Sequence, residues 1–154
     1  MKLVSWNCSG LGSKEEIESL RNLIKSKRPQ ILLLQETKMK DQAILQECKH
    51  IWKNSMGLSI ISWGASGGIC TLWKPHQFQL VASKDSLHSM LLKLLHLSSR
   101  KNFIIVNVYM PNQYQEKIIC WRSLLEMMES KSIDNLIIVG EFNTTLHHWE
   151  NREG

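Results

Sequence analysis

No two of the four cysteines, Cys8, Cys48, Cys70 and Cys120, stand close enough to form a C-x-x-C motif. A structural zinc site is therefore not expected. The even cysteine spacing of a secreted disulfide framework is missing too, and a chain of 154 residues can build a core without one. The expectation is reduced thiols with no disulfide partner, in an intracellular compartment. No apolar run approaches membrane-spanning length, so no membrane partner is expected. Met1-Lys2 leads straight into the strand-like "LVSWN", which does not read as a secretory leader. Internal repeats, low-complexity tracts and linkers are lacking as well. That leaves one domain over residues 1–154.

What is present is a globular composition. Apolar residues make up 43% and charged residues 21%, which excludes a disordered chain. The formal net charge of +5, from 19 basic and 14 acidic residues, permits polyanionic partners without requiring them.

The residue pattern alternates helices and strands. "KLVSWN" (2–7) reads as a strand and "CSGLG" as a loop. Ser13 and Glu16 form a capping box, and a helix runs from there to about Lys27 with Ile17, Leu20 and Ile24 on one face. Arg28-Pro29 stops it. "QILLLQE" is a continuous apolar run, as expected of a strand buried on both faces. Asp41 can cap a second helix with a stripe of Ile44, Leu45, Cys48, Ile51 and Trp52. "LSIISW", "GGICTLW" and "QFQLVAS" read as sequential, antiparallel strands. Residues 86–97 are ambiguous, because their leucines favour a helix while their position favours a strand. "FIIVNVY" is a strand. Residues 115–129 read as a helix with Ile118, Trp121, Leu125 and Met128 on its apolar side, and "NLIIVGE" is the last strand. The sum is an α/β domain with mixed sheets.

Polar groups gather where apolar strands end. Asn7 ends the first strand, Gln35-Glu36 the second, and Glu141 with Asn143 the last, while "FIIVNVYMP" carries Asn107 and Tyr109. Ligand sites in α/β sheets lie beyond the carboxyl ends of strands. If these ends converge, they form a pocket of carboxylates, amides and a phenol with no cysteine ligand. Such hard oxygen donors suit Mg²⁺ or Mn²⁺. An ion there would neutralise a phosphoryl oxygen and activate a water. Each residue also has a plain structural role open to it. Asn7 can bond loop backbone, Glu36 can pair with Lys38, Tyr109 can sit in the core, and Glu141 and Asn143 can be turn residues after Gly140.

In order along the chain, "SWNCSGLG", "LLLQETK", "GGICTLW", "NVYMPN" and "GEFN" resemble the endonuclease/exonuclease/phosphatase family. Within it, they look most like the endonuclease domain of plant LINE-type (non-LTR) retrotransposons. The resemblance implies a four-layer α/β sandwich of two mixed β-sheets flanked by helices, and it favours a strand at 86–97. It implies metal-dependent phosphodiester cleavage of DNA, and hence a nuclear location. By motif, Glu36 would be the principal metal-binding carboxylate and Asn7 would help hold the metal or the phosphate. Tyr109 would orient the scissile phosphate, with Asn107 supporting the site. Asn143 would contact phosphate, and Glu141 would position the attacking water.

Two departures from the family pattern stand out. The family has Asp where this chain has Glu141. Family members also continue to further strands and an Asp-His pair, so the chain resembles a member incomplete at its C-terminus. His147-His148 lie too near the last strand to replace that pair. Three readings follow: a Mg²⁺-dependent endonuclease derived from a retrotransposon, a catalytically dead remnant with at most weak nucleic-acid binding, or a family phosphatase acting on small phosphoesters. A dinucleotide-binding module suggested by "GLGSKE" fails, because Glu15 holds the place of the third glycine and acids there repel a pyrophosphate.

Overall fold

The capping box forms as its residues dictate. Ser13 Oγ accepts from the Glu16 amide at 3.2 Å, and the Glu16 carboxylate accepts from the Ser13 amide at 2.8 Å. The helix it starts, α1 (Lys14–Lys27), ends on Arg28 in the left-handed conformation, just before Pro29. The computed structural model describes residues 1–39, 43–62, 67–129 and 135–144, without the side chain of Ile44. Asp41 and His147-His148, singled out above, lie outside them.

Among the described residues, eight strands and three helices follow the order β1 (Leu3–Asn7), α1, β2 (Ile31–Gln35), α2 (Ala43–Ile51), β3 (Met56–Ile60), β4 (Ile69–Trp73), β5 (Phe78–Asp85), β6 (Ser89–His96), β7 (Lys101–Tyr109), α3 (Tyr114–Met128) and β8 (Leu136–Glu141). They form two four-stranded sheets, ordered β1-β2-β4-β3 and β5-β6-β7-β8. Each sheet is mixed. β1 and β2 are parallel across α1, β7 and β8 are parallel across α3, and the other pairings are antiparallel. The segment at 86–97 is a strand, because its alternate leucines serve two apolar layers at once.

The period-two alternation of the strands builds the layers. In β2, Leu32 and Leu34 pack toward α1 and α2 with Leu20, Cys48 and Trp52, while Ile31 and Leu33 face the second sheet. In β6, Met90, Leu92 and Leu94 meet them there, whereas Leu91 turns outward with Val106 and Val108 of β7 against α3. Three apolar interfaces therefore separate four layers: helices, sheet, sheet, helix. This is the sandwich implied by the resemblance.

Two expectations are corrected. The strands "LSIISW", "GGICTLW" and "QFQLVAS" are not one antiparallel run. β3 and β4 pair, but β5 belongs to the other sheet, where it pairs with β6. The connection through Lys74–Gln77 carries the chain across the sandwich, a change of layer that strand periodicity does not encode. The inward face of α3 also differs. Cys120, Leu124 and Met127 are buried, whereas Ile118, Trp121 and Leu125 are 37%, 42% and 58% exposed. Met128 alone of the expected stripe packs partly against the core. Both sets have helical spacing and lie about 100° apart, so periodicity does not choose between them. The outer leucine and valines of β6 and β7 do. Trp121 instead stacks on Phe142 at 5.8 Å between ring centroids.

Candidate functional site

The two parallel pairings decide where the polar strand ends go. Asn7 is in register with Gln35 at the end of β1 and β2, and Tyr109 with Glu141 at the end of β7 and β8. The sheets stack so that these two rims meet. Asn7 Nδ2 donates across to Glu141 Oε2 over a long 3.4 Å. The Asn143 amide donates to the other oxygen, Glu141 Oε1, at 2.9 Å, and Asn143 Nδ2 donates to the Met110 carbonyl at 2.5 Å.

Tyr109 ties the group together. Its side chain is 7% exposed. Burial pushes its phenol up from the ordinary value, and the negative charges of Glu36 and Glu141 add to the rise. A hydrogen bond with the Asn143 side chain and the charge of Lys38 oppose it. The phenol therefore keeps its proton and is a donor at neutral pH. Residues from four strand ends thus share one mouth. Asn7, Glu36, Tyr109, Glu141 and Asn143 are brought together there.

Asn107 is placed differently. It is two residues before Tyr109 and so on the same face of β7, but it is wholly buried between the sheets. Its Oδ1 accepts from Gln35 Nε2 at 2.6 Å. Its Nδ2 lies at 3.0 Å from Thr71 Oγ1, 3.2 Å from the Cys70 carbonyl and 3.3 Å from the Leu34 carbonyl. Gln35 Nε2 also reaches Ser5 Oγ, at 3.0 Å. Asn107 is therefore a tie beneath the mouth that fixes one sheet on the other, supporting the site without lining it.

Two lysines at the mouth were not proposed as site residues from the sequence. Lys38 Nζ lies 3.2 Å from Glu36 Oε1, so the expected plain pairing of Glu36 exists inside the cluster. Lys117 of α3 donates to the Asn143 carbonyl and to Thr144 Oγ1, holding the loop after β8. Glu36, Lys38 and Asn143 all have φ near +50°, at +55°, +55° and +48°. Left-handed backbone at non-glycine residues costs about 1–3 kcal/mol each and persists where surrounding contacts over-determine it. Here the Thr37 and Lys38 amides donate to the carbonyls of Gly68 and Gly67 at 3.1 and 3.0 Å. The sequence offered Lys38 as a partner for Glu36 and carried no signal for Lys117.

The donors at the mouth are hard oxygens, from Glu36, Glu141, Asn7 and Asn143. Among the described residues, no three His, Cys, Asp or Glu side chains cluster tightly enough to cage an ion. Oxygen donors of this kind are chemically compatible with a hard divalent cation.

An open rim of acids and amides at the carboxyl ends of two stacked mixed sheets is a ligand-binding architecture of the α/β class. The chain belongs to the Endonuclease/Exonuclease/phosphatase family, whose sequence model matches residues 4–154. Solved structures share the fold. A humanized D. rerio TDP2 carrying 14 mutations superposes with a TM-score of 0.73 at 17% identity, over 94% of this chain and 67% of that one. The mannosyl-6-phosphatase of Bacteroides thetaiotaomicron gives 0.72 at 11% identity, over 96% and 67%. D. rerio TDP2 complexed with single strand DNA product gives 0.71 at 16% identity, over 94% and 61%. The chain thus spans about two thirds of the length of these structures. No curated protein matches it by sequence. Among the described residues no helix is long and apolar enough to cross a membrane, and the four cysteines are free thiols.

Proposed function

We propose that the chain is a metal-dependent phosphodiesterase of the endonuclease type found in LINE-type retrotransposons, acting on DNA and therefore in the nucleus. The observation that carries this reading is the shared mouth of Asn7, Glu36, Tyr109, Glu141 and Asn143. Glu36 would be the principal ligand for Mg²⁺ or Mn²⁺, and Asn7 would help hold the ion or the phosphate. The ion, when bound, supplies Lewis-acid neutralisation of a phosphoryl oxygen. Tyr109, protonated at neutral pH, donates to the scissile phosphate and orients it for in-line attack. Asn143 contacts the phosphate and steadies Glu141 through its backbone amide. Glu141 positions the attacking water and takes its proton. Both of its oxygens already accept hydrogen bonds, which holds the longer side chain in place. The DNA-bound TDP2 neighbour makes a nucleic-acid substrate reasonable on this fold.

The test is nicking of supercoiled plasmid with Mg²⁺ or Mn²⁺. Wild-type protein is expected to nick, EDTA to abolish nicking, and Glu36→Ala to slow it by at least about a hundredfold. Equal nicking by wild type and Glu36→Ala would remove the site.

One observation favours a second reading. The Lys38 ammonium sits on the carboxylate an ion would use. A remnant whose Glu36 is permanently held this way would bind nucleic acid weakly, with steep salt dependence, and turn nothing over. The mannosyl-6-phosphatase neighbour keeps a small-phosphoester substrate as a third arm of the same assay.

A further inference from the structure

The turn that follows Glu141 lies on α3. Two side chains one helical turn apart receive it. The Trp121 ring stacks on Phe142 at 5.8 Å between centroids, with the ring planes 11° apart. Lys117, four residues earlier on the same face, donates to the Asn143 carbonyl and to Thr144 Oγ1. Phe142, Asn143 and Thr144 are therefore seated in succession along one stripe of the helix.

Helix stability does not account for Lys117. It is the fourth residue of α3, near the positive pole, where a cation gains nothing from the helix. Residues 114–116, 118 and 119 around it are exposed, while Lys117 is half-buried. Among the described residues no carboxylate lies within ion-pair distance of its ammonium. Its acceptors are a carbonyl and a hydroxyl, both on the turn after β8. A hydrogen bond from an ammonium is stronger than one between neutral groups, so the grip is a firm one.

Asn143 is the joint between that seat and the mouth. Its φ of +48° is a left-handed conformation that needs outside support. Its carbonyl accepts from Lys117, while its amide donates to Glu141 Oε1 at 2.9 Å. Its side chain reaches the Met110 carbonyl and the Tyr109 phenol. The Glu141 side chain has three torsions to fix. Among the described residues, the Asn143 amide and the long 3.4 Å bond from Asn7 are what hold its oxygens. The direction of the carboxylate thus depends on Asn143, and the placement of Asn143 depends on α3.

We propose that Lys117 and Trp121 are positioning residues: together they form a seat on α3 that fixes the turn at 142–144 and, through Asn143, aims the Glu141 carboxylate. The consequence for the rate rests on the phosphodiesterase reading above; the seat itself rests on the packing. Lys117 acts through Glu141 and not by binding substrate, since two of the three donors of its ammonium are already committed to the turn.

The test has two arms. In isotope-labelled, metal-free, full-length protein, NMR amide hydrogen exchange reads the Asn143 amide directly. Lys117→Met and Trp121→Leu are expected to speed its exchange at least about tenfold, with Lys117→Arg within about threefold of wild type and the amides of Ile137, Ile138 and Val139 in β8 unchanged throughout. In steady-state nicking of supercoiled plasmid, Lys117→Met is expected to lower kcat about tenfold at unchanged KM, and Lys117→Arg to restore it. Unchanged exchange at Asn143 in Lys117→Met, faster exchange spreading through β8, or an arginine variant that behaves like the methionine one would overturn the seat. A raised KM at unchanged kcat would overturn the positioning role by making Lys117 a contact to the DNA backbone. If wild-type protein does not nick, the phosphodiesterase reading fails, while the exchange arm still decides the seat.

Discussion

Replacing Asn107 with leucine removes the polar tie between the two sheets and keeps the branched outline of the side chain. Asn107, Gln35 and Thr71 are 0%, 1% and 0% exposed, so water cannot replace the lost bonds. Gln35 Nε2 loses its 2.6 Å acceptor and keeps only Ser5 Oγ, and Thr71 Oγ1 loses its 3.0 Å donor. The carbonyls of Leu34 and Cys70 retain their places in the β2–β4 ladder and contribute less. A buried polar group left without a partner costs about 1–3 kcal/mol. Only Thr71 Oγ1 loses the one bond described, since Gln35 Nε2 keeps Ser5 Oγ, so the loss is about 2 kcal/mol, out of a total stability of about 5–15 kcal/mol for a domain. Urea unfolding followed by circular dichroism should show the midpoint falling by about 1 M, for a slope of about 2 kcal/mol/M. The double variant Gln35→Leu with Asn107→Leu removes both partners of the shortest bond. It should be less destabilised than the sum of the two singles, by at least about 1 kcal/mol. An Asn107→Leu protein within about 0.5 kcal/mol of wild type would refute the tie, because that is the range of substitutions that touch nothing.

Three further outcomes are expected. Gly140 has φ +155°, and a Cβ there would come to 1.9 Å of the Val108 carbonyl oxygen in the parallel partner strand. Gly140→Ala should therefore cost at least about 3 kcal/mol in the same unfolding assay. Ser13→Ala should cost about 1 kcal/mol by undoing the α1 capping box, with the helix otherwise intact. Burial pushes the Cys8 thiol up from 9.0 to about 12, with the charges of neighbouring groups adding little. Below pH 9.0 the folded and unfolded thiols are both protonated. Above it the unfolded thiol releases its proton while the folded one does not. Stability should therefore fall between pH 9.0 and about 12, by up to about 1.4 kcal/mol per pH unit more in wild type than in Cys8→Ala.

Local chemistry was legible in the chain. The Ser13–Glu16 box, the stop at Arg28-Pro29 and the doubly buried run of β2 depend on residues within a few positions of one another, so their pattern carries them. The polar strand ends were legible for the same reason: a carboxylate or amide after an apolar run stands out within a few residues. What local pattern could not decide was which of two apolar stripes on α3 turns inward, since Cys120-Leu124-Met127 and Ile118-Trp121-Leu125 are equally periodic. Only the outer faces of β6 and β7 choose. Nor could it show that Asn107 lies under the mouth while Tyr109, two residues on, lies at it, or that Lys117 reaches the loop after β8.

The sequence by itself determined most of the elements, the apolar faces of α1 and β2, and the kinds of polar group waiting at strand ends, because those follow from short-range periodicity and side-chain chemistry. The tertiary structure alone decided that β4 and β5 belong to different sheets and that the β1–β2 rim meets the β7–β8 rim. A shared site made from Asn7 and Glu141, 134 positions apart, exists only once two independently built sheets have been stacked in one register.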